Sequence, residues 1–205
     1  MEKITIIFGT VMGTAEGCAQ KISKRLTACN LQNEVIDMEE YDHARLTDKG
    51  LLIVATSTTG NGVPPTNAEA LHAHLSDGKI NLEGRTFAVL SLGDSFRTLY
   101  AQCGKDFDRM LEELGGTRIV DRVDCDGVVE APLKIFTNSL LEYFERESEL
   151  YPDFNRAEEP EPAKPEPPPK KDKPTAKPSE SQSTKKKGIL SRIKRRVVNK
   201  ISGLL

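Results

Sequence analysis

Short, uninterrupted apolar runs that alternate with stretches of helical periodicity constrain this chain more than any other feature. Lys3 to Phe8, Leu51 to Ala55 and Arg85 to Leu92 are apolar at most positions instead of at every second one. That is the pattern of strands covered on both faces in a parallel sheet. Asn33 to Asp37 reads as a further short strand and Arg118 to Val120 as a fifth. Between the strands, apolar residues recur at intervals of three and four. Ala15, Cys18, Ala19, Ile22 and Leu26 follow the first strand, and Phe107, Leu111 and Leu114 lie on one face of a helix from about Tyr100 to Leu114. Leu133, Phe136, Leu140, Leu141 and Phe144 mark a last helix from about Ala131, and Asn67 to Leu75 is also helical. Gly115-Gly116 ends one helix and Pro132 suits the first turn of another. Five strands interleaved with helices predict an α/β fold built on a five-stranded parallel sheet with right-handed crossovers.

In open sheets of this kind, ligands sit outside the carboxyl ends of the strands. Three of those ends carry loops rich in Gly, Ser, Thr and Asp: Thr10 to Ala15, Thr56 to Pro65, and Gly93-Asp94-Ser95. The first runs from a strand into a helix opening at Thr14, so a row of backbone N–H groups gathers at a positive helix end. Such a place holds an anion, most often a phosphate. By itself this stretch is an ordinary strand-to-helix turn capped by Thr14; three such loops in register favour one ligand touched by all of them.

Five segments follow one another in a telling order: Gly13-Thr14-Ala15-Glu16-Gly17, then Ser57-Thr58-Thr59-Gly60-Asn61-Gly62 with Pro64-Pro65, then Leu92-Gly93-Asp94-Ser95, Gly104-Lys105-Asp106-Phe107-Asp108, and Asp121-Arg122-Val123-Asp124. In order and spacing, over roughly residues 3 to 148, the chain resembles the flavodoxin-like FMN-binding domains. The nearest likeness is to those of diflavin reductases such as sulfite reductase flavoprotein and cytochrome P450 reductase. The resemblance implies a three-layer sandwich and FMN as cofactor. It implies that Thr10, Val11, Met12, Gly13, Thr14 and Ala15 cradle the FMN phosphate. Thr58, Thr59, Gly60, Asn61 and Gly62 would flank the isoalloxazine ring from one loop, and Leu92, Gly93, Asp94, Arg97 and Tyr100 from another. It also implies a peptide flip at Gly60, which a residue without a Cβ permits, and a place near the far edge of the site for Asp124 or Asp126.

Three positions depart from the family pattern. Met12 stands where a hydroxyl residue usually meets the phosphate, and Thr59 and Arg97 stand where aromatics usually cover the two flavin faces. An aromatic contact contributes roughly 0.5 to 1.5 kcal/mol beyond its buried area, so losing two lowers FMN affinity by about tenfold or more. The function implied is an FMN-dependent carrier of single electrons between a separate NAD(P)H-dependent reductase and an acceptor protein, with the chemistry supplied by the cofactor. No acid/base pair or nucleophile argues for a stand-alone catalyst, and no nicotinamide-binding domain is evident. A competing reading is a flavodoxin-fold adaptor with weakened or lost FMN binding whose tail does the docking. A third is a flavin-dependent reductase acting directly on a small molecule or ferric complex.

The net charge of −2 conceals a strong asymmetry. Residues 1–150 carry 15 Lys+Arg against 24 Asp+Glu, a net of −9, whereas residues 185–205 carry eight basic residues and no acid. Nine of the twelve prolines fall between Pro152 and Pro178. The chain therefore reads as a folded domain over 1–150, a Pro/Lys/Glu-rich linker over 151–184 expected to stay unfolded, and a basic amphipathic helix over 185–205. In that helix Ile189, Leu190, Ile193, Val197, Ile201 and Leu204 recur at helical spacing among Arg and Lys. It suits an anionic membrane surface, where each basic residue adds about 1 kcal/mol, or a groove on a partner or protein shell, or the acidic body of its own chain. Nucleic acid would be held only weakly and without sequence preference.

Four cysteines without paired spacing, and an N-terminus with neither a basic start nor an apolar run, point to a cytoplasmic setting. A peripheral membrane position follows from the first reading of the tail. No apolar segment approaches the roughly eighteen residues needed to span a bilayer. Cys103 and Cys125 are expected as small, partly buried fillers. His72 and His74 should point to opposite faces of their helix and be solvated. The acidic run Asp37 to Asp42 reads as a solvated face or a docking patch for a basic reductase.

Overall fold

The computed structural model describes residues 3–157. Its elements run β1 (Ile4–Gly9), α1 (Thr14–Ala28), β2 (Asn33–Asp37), β3 (Gly50–Ser57), α2 (Glu69–Ser76), β4 (Arg85–Gly93), α3 (Gln102–Glu113), β5 (Thr117–Arg118), β6 (Val123–Asp126) and α4 (Glu130–Arg146). All strand pairs are parallel. The sheet order is β2-β1-β3-β4-β5, with β6 also paired to β4.

Alternation along each strand divides the core into two layers. Ile4, Ile6 and Phe8 of β1, with Leu51, Ile53 and Ala55 of β3, face α1 and α4. Ile7, Leu52, Val54, Phe87 and Val89 face α2 and α3. The helices and sheet thus form a three-layer α/β sandwich. Each fully buried Leu, Ile or Phe contributes roughly 1.5 to 3 kcal/mol, and residues of both layers are almost wholly shielded.

The fifth sheet position differs from the strand expected over Arg118 to Val120. Two short strands share it: β5 pairs with Thr86 and Phe87, and β6 with Leu90 to Gly93. An ion cluster explains the break. Arg118 Nε and Arg122 Nη1 donate to the two oxygens of the Asp108 carboxylate at 2.8 and 2.7 Å, and Arg122 Nε also donates to Asp124 at 2.7 Å. Bringing two arginines four residues apart onto one buried carboxylate takes the chain out of the ladder after Ile119, whose N–H still donates to the Phe87 carbonyl.

Helix starts also shift. Ala101 sits in the left-handed region at φ 55°, so α3 begins at Gln102 and not near Tyr100. A single 3-10 turn, Thr66–Ala68, precedes α2. The packed body continues past Leu150: Tyr151 is fully buried, its ring 4.7 Å from that of Phe144. Asn155 N–H donates to the Cys29 carbonyl at 3.0 Å, and the Ala157 carbonyl accepts from Arg25 at 2.7 Å. The described chain therefore ends beside the C-terminal end of α1. The expected linker beyond residue 157 and the amphipathic helix over 185–205 lie outside the described residues.

Candidate functional site

All the strands point their carboxyl ends the same way, and a cavity of about 420 Å³ opens there, within the usual range for small-molecule sites. Four loops wall it, one more than the sequence pattern indicated. They follow β1, β3, β4 and β6, the last contributing Gly127 and Val129 above Cys125.

The β1–α1 loop is built around Thr10. Its hydroxyl accepts from Gly13 N–H at 3.0 Å, and its own N–H donates to Asn67 Oδ1 at 2.9 Å. Asn67 is oriented in turn by the Asp37 carboxylate, whose two oxygens accept from Nδ2 at 2.9 and 3.1 Å. Gly13, at φ 80°, is the residue that precedes α1, with no side-chain cap. The expected cap from Thr14 is thus replaced by Thr10 reaching forward over a left-handed glycine. Among the described residues, the N–H groups of Val11, Met12, Thr14, Ala15 and Glu16 meet no protein acceptor. Unpaired donors at the positive end of a fifteen-residue helix make an anion cradle. The Met12 side chain is 90% exposed and leaves that cradle clear.

The loop after β3 is a closed hairpin. Thr59 and Val63 exchange backbone hydrogen bonds at 2.9 and 3.1 Å, and the Thr59 hydroxyl donates to the carbonyls of Val63 and Pro64. Thr58 Oγ1 accepts from Cys103 N–H at 3.1 Å, tying the hairpin to α3. Gly60 sits at its tip at φ 47°, and a Cβ there would meet nothing within 4 Å. Gly62 is glycine for another reason: its Cβ would come within 2.7 Å of Leu99.

Loop Asp94 to Ala101 forms the opposite wall. Ser95 donates from N–H and hydroxyl to the two oxygens of Asp126 at 2.8 and 2.5 Å, which holds the Asp126 carboxyl below its usual range. Phe96 N–H donates to Asp94 Oδ1, and Arg97 N–H to the Asp94 carbonyl. Lys105 Nζ donates to the Tyr100 carbonyl at 2.7 Å. Burial first, and then the Asp124 and Asp126 carboxylates, raise the Tyr100 phenol. Burial likewise pushes the Cys125 thiol up to about 12, with Cys18 and Asp124 adding to it.

Of the residues the sequence singled out, Thr10, Val11, Met12, Thr14, Thr58, Thr59, Gly60, Leu92, Gly93, Asp94, Arg97 and Tyr100 line this one cavity. Four do not. Gly13 shapes the loop, Ala15 is buried in the core beneath it, Asn61 is exposed at the hairpin, and Gly62 packs on Leu99. Ser57 and Leu99, which also line the cavity, lie within loops the sequence marked, whereas sequence reasoning missed Ala101, Cys125, Gly127 and Val129 in the lining, and Asn67 behind it. The end of β6 was hidden because the fifth strand was placed too early. Asn67, read as the first residue of a helix, carried no signal of its long-range role.

Other expectations change as well. Cys103 and Cys125 are buried fillers, Cys103 hydrogen bonded to Thr56 at 3.4 Å. His72 and His74 do face apart, but neither is simply solvated: His72 packs edge-on against Phe107, and His74 stacks on His43 at 4.9 Å. In the acidic run, Met38 and Tyr41 are buried and Asp37 serves Asn67, so it is not a uniformly solvated face. No group of three or more His, Cys, Asp or Glu able to hold a metal occurs among the described residues.

Comparison with known proteins places this architecture. Over 127 residues the chain is 44% identical to the sulfite reductase [NADPH] flavoprotein alpha-component of Escherichia coli K12, covering 62% of this chain and 21% of that protein. The chain thus spans about a fifth of the length of the curated relatives it matches. The fold is shared with the flavodoxin of Streptococcus pneumoniae TIGR4, at TM-score 0.64, 23% identity and coverage of 70% of this chain and 99% of that one. It is shared also with oxidised flavodoxin 1 of Bacillus cereus, at TM-score 0.62, 20% identity and coverage of 70% and 97%. The Flavodoxin family match runs over residues 6–135, from β1 into α4 and through all four loops of the cavity, and the chain belongs to the flavodoxin family.

Proposed function

We propose that this chain holds FMN in the cavity and carries electrons between a separate reductase and an acceptor protein. The observation that carries this reading is the set of N–H groups of Val11, Met12, Thr14, Ala15 and Glu16 that meet no acceptor among the described residues at the N-terminus of α1, in a loop that lines the same cavity as the Thr59–Val63 hairpin and the Asp94–Ala101 loop. An anionic end and a flat ring both find a place there. FMN is the cofactor of flavodoxins and of sulfite reductase flavoproteins, and when bound it accepts and releases electrons one at a time.

The chain's own residues bind and orient. Backbone amides of the first loop take the phosphate, with Thr10 and Asn67 fixing their direction. Gly60 leaves room for a peptide rotation at the hairpin tip. Leu92, Leu99, Cys125 and Val129 supply apolar wall and keep water from the ring. Val11, Met12 and Leu99, which line the cavity, are also exposed, as is Phe96 on the Asp94–Ala101 loop, a small set of apolar side chains on an otherwise acidic body. A protein partner that brings an apolar centre and a basic margin would dock there, which shortens the path for electron transfer.

Tethering through residues 185–205 is part of this proposal. The described chain ends beside Cys29 and Arg25, at the C-terminal end of α1, whereas the cavity lies at its N-terminal end, about 22 Å away along a fifteen-residue helix. No helix among the described residues is long and apolar enough to cross a membrane. An anionic bilayer is the surface proposed for the tail, and liposome flotation with and without residues 185–205 tests it. If both forms stay at the bottom with anionic lipid, the tail serves a protein partner instead.

The visible spectrum of the purified chain decides the carrier reading. A flavin spectrum, or uptake of added FMN at micromolar concentration, is expected. A colourless protein that takes up none is the flavodoxin-fold adaptor.

A further inference from the structure

Arg97 is the one side chain of fixed positive charge among the cavity-lining residues, and Asp94 the one carboxylate. Their ion pair is loose: Arg97 Nε lies 3.8 Å from Asp94 Oδ2, while Asp94 Oδ1 is taken by Phe96 N–H at 3.0 Å. The backbone beneath is held firmly. Arg97 N–H donates to the Asp94 carbonyl at 2.9 Å, and the double hydrogen bond from Ser95 to Asp126 anchors the loop to β6. Across the cavity stand Gly60, with no side chain, and Thr59, whose hydroxyl is committed to the carbonyls of Val63 and Pro64. One wall therefore presents a cation and the other is uncharged.

Resting on the reading that FMN occupies the cavity, we propose that Arg97 sets how strongly this protein favours reduced over oxidised FMN. The isoalloxazine ring is neutral when oxidised. Two electrons, passed one at a time from the separate reductase of that reading, and one proton from solvent leave one net negative charge on it. A guanidinium on the wall attracts that charge and gains little from the neutral ring, so its contribution is differential, which is what moves an equilibrium. Arginine suits the task because it stays charged at every working pH and is weakly hydrated for a cation. Asp94 opposes it, and the looseness of the pair leaves part of the positive field for the cavity.

Because the two affinities and the midpoint potential are linked, measuring the dissociation constants of oxidised and reduced FMN, together with a potentiometric titration of the loaded protein, reads the effect directly. Arg97→Gln is expected to lower the preference for the reduced form by about tenfold, a shift of about 30 mV for a two-electron couple. Arg97→Lys restores most of it, and Asp94→Asn moves it in the opposite direction. The gap between wild type and Arg97→Gln shrinks as salt rises from about 0.01 to 1 M, where the Debye length falls from about 30 to 3 Å. Arg109→Gln, removing an exposed arginine paired with Glu113 on α3, leaves the preference unchanged. The proposal is overturned if Arg97→Gln binds FMN with the wild-type ratio of affinities, or if Arg97→Lys loses as much as Arg97→Gln. A wild-type chain that takes up no FMN removes the carrier reading and this inference with it.

Discussion

Asn67 Oδ1 accepts the backbone N–H of Thr10 at 2.9 Å across 57 residues of sequence. This one bond joins the anion cradle after β1 to the turn before α2. Its direction is enforced, because both oxygens of Asp37 take Asn67 Nδ2, and only the amide oxygen remains for Thr10. The consequence is that the loop's remaining amides keep one arrangement before any ligand arrives.

Replacing Asn67 by Ala should therefore weaken FMN binding and leave the fold nearly intact. A hydrogen bond of this kind contributes about 1 kcal/mol, which corresponds to about fivefold in affinity. Quenching of FMN fluorescence measures the binding, and urea denaturation the stability. An unchanged dissociation constant would show that the loop holds its shape without Asn67.

The sequence exposed the scaffold more readily than the site. Continuous apolar runs at β1, β3 and β4 had one reading, since strands buried on both faces have no polar side. At the fifth position the sequence marked Arg118 to Val120, which overlaps β5 at Arg118, but not β6, because the chain between the two is interrupted by Arg118 and Arg122 converging on Asp108. In the site, glycine and hydroxyl clusters at strand ends marked three walls. Cys125 and Val129 line the fourth wall with ordinary apolar side chains, and nothing local separates those from core residues. Thr59 reads as a flavin-facing residue in the motif, yet its hydroxyl closes the hairpin. A hydrogen bond to a carbonyl four or five residues ahead depends on the loop's shape, which composition does not fix.

Two glycines should respond to alanine with opposite signs. At Gly104, on α3, an added Cβ would lie 2.1 Å from Ser91 Oγ and 2.2 Å from Ser91 Cβ, and Ser91 is itself tied to the Ala101 carbonyl at 3.1 Å. Helix and sheet must move apart, so Gly104→Ala should cost about 1 to 3 kcal/mol or more. At Gly17, inside α1, a Cβ meets nothing within 4 Å, and Gly17→Ala should stabilise by about 0.5 to 1 kcal/mol through helix propensity. Urea midpoints of the two variants beside wild type give both numbers, and equal shifts would contradict the packing argument.

Acid should also reveal one named ion cluster. Burial tends to raise the Glu34 carboxyl, but hydrogen bonds from Lys3, Arg45 and Thr5 outweigh it and hold the group below its usual range. A lowered folded value means the unfolded chain binds the proton more readily. The stability from this cluster is therefore present at neutral pH and is lost as pH falls through the carboxylate range. Glu34→Gln should lower the urea midpoint at pH 7 by a small amount, since the carboxylate is partly exposed, and the difference from wild type should vanish toward pH 3. A difference that stays constant with pH would assign the effect to packing.

Alkaline conditions test the buried thiols. All four cysteines are free and buried, and burial pushes both Cys103 and Cys125 from about 9 up to about 12. The native state thus keeps protons that the unfolded chain releases. Stability from this source is complete below pH 9 and declines as pH rises toward 12. Cys103→Ala should flatten that decline, while at pH 7 it loses about 1 kcal/mol or less through the smaller side chain and the contact with Thr56. Denaturation midpoints between pH 7 and 10.5 follow the slope. Alkylation by iodoacetamide at pH 8 checks the same physics independently, because the thiolate is the reactive form. The native chain should resist modification at all four positions, and chemical unfolding should release four thiols. Rapid labelling of Cys125 in the folded protein would mean that the cavity wall opens far more often than its packing implies.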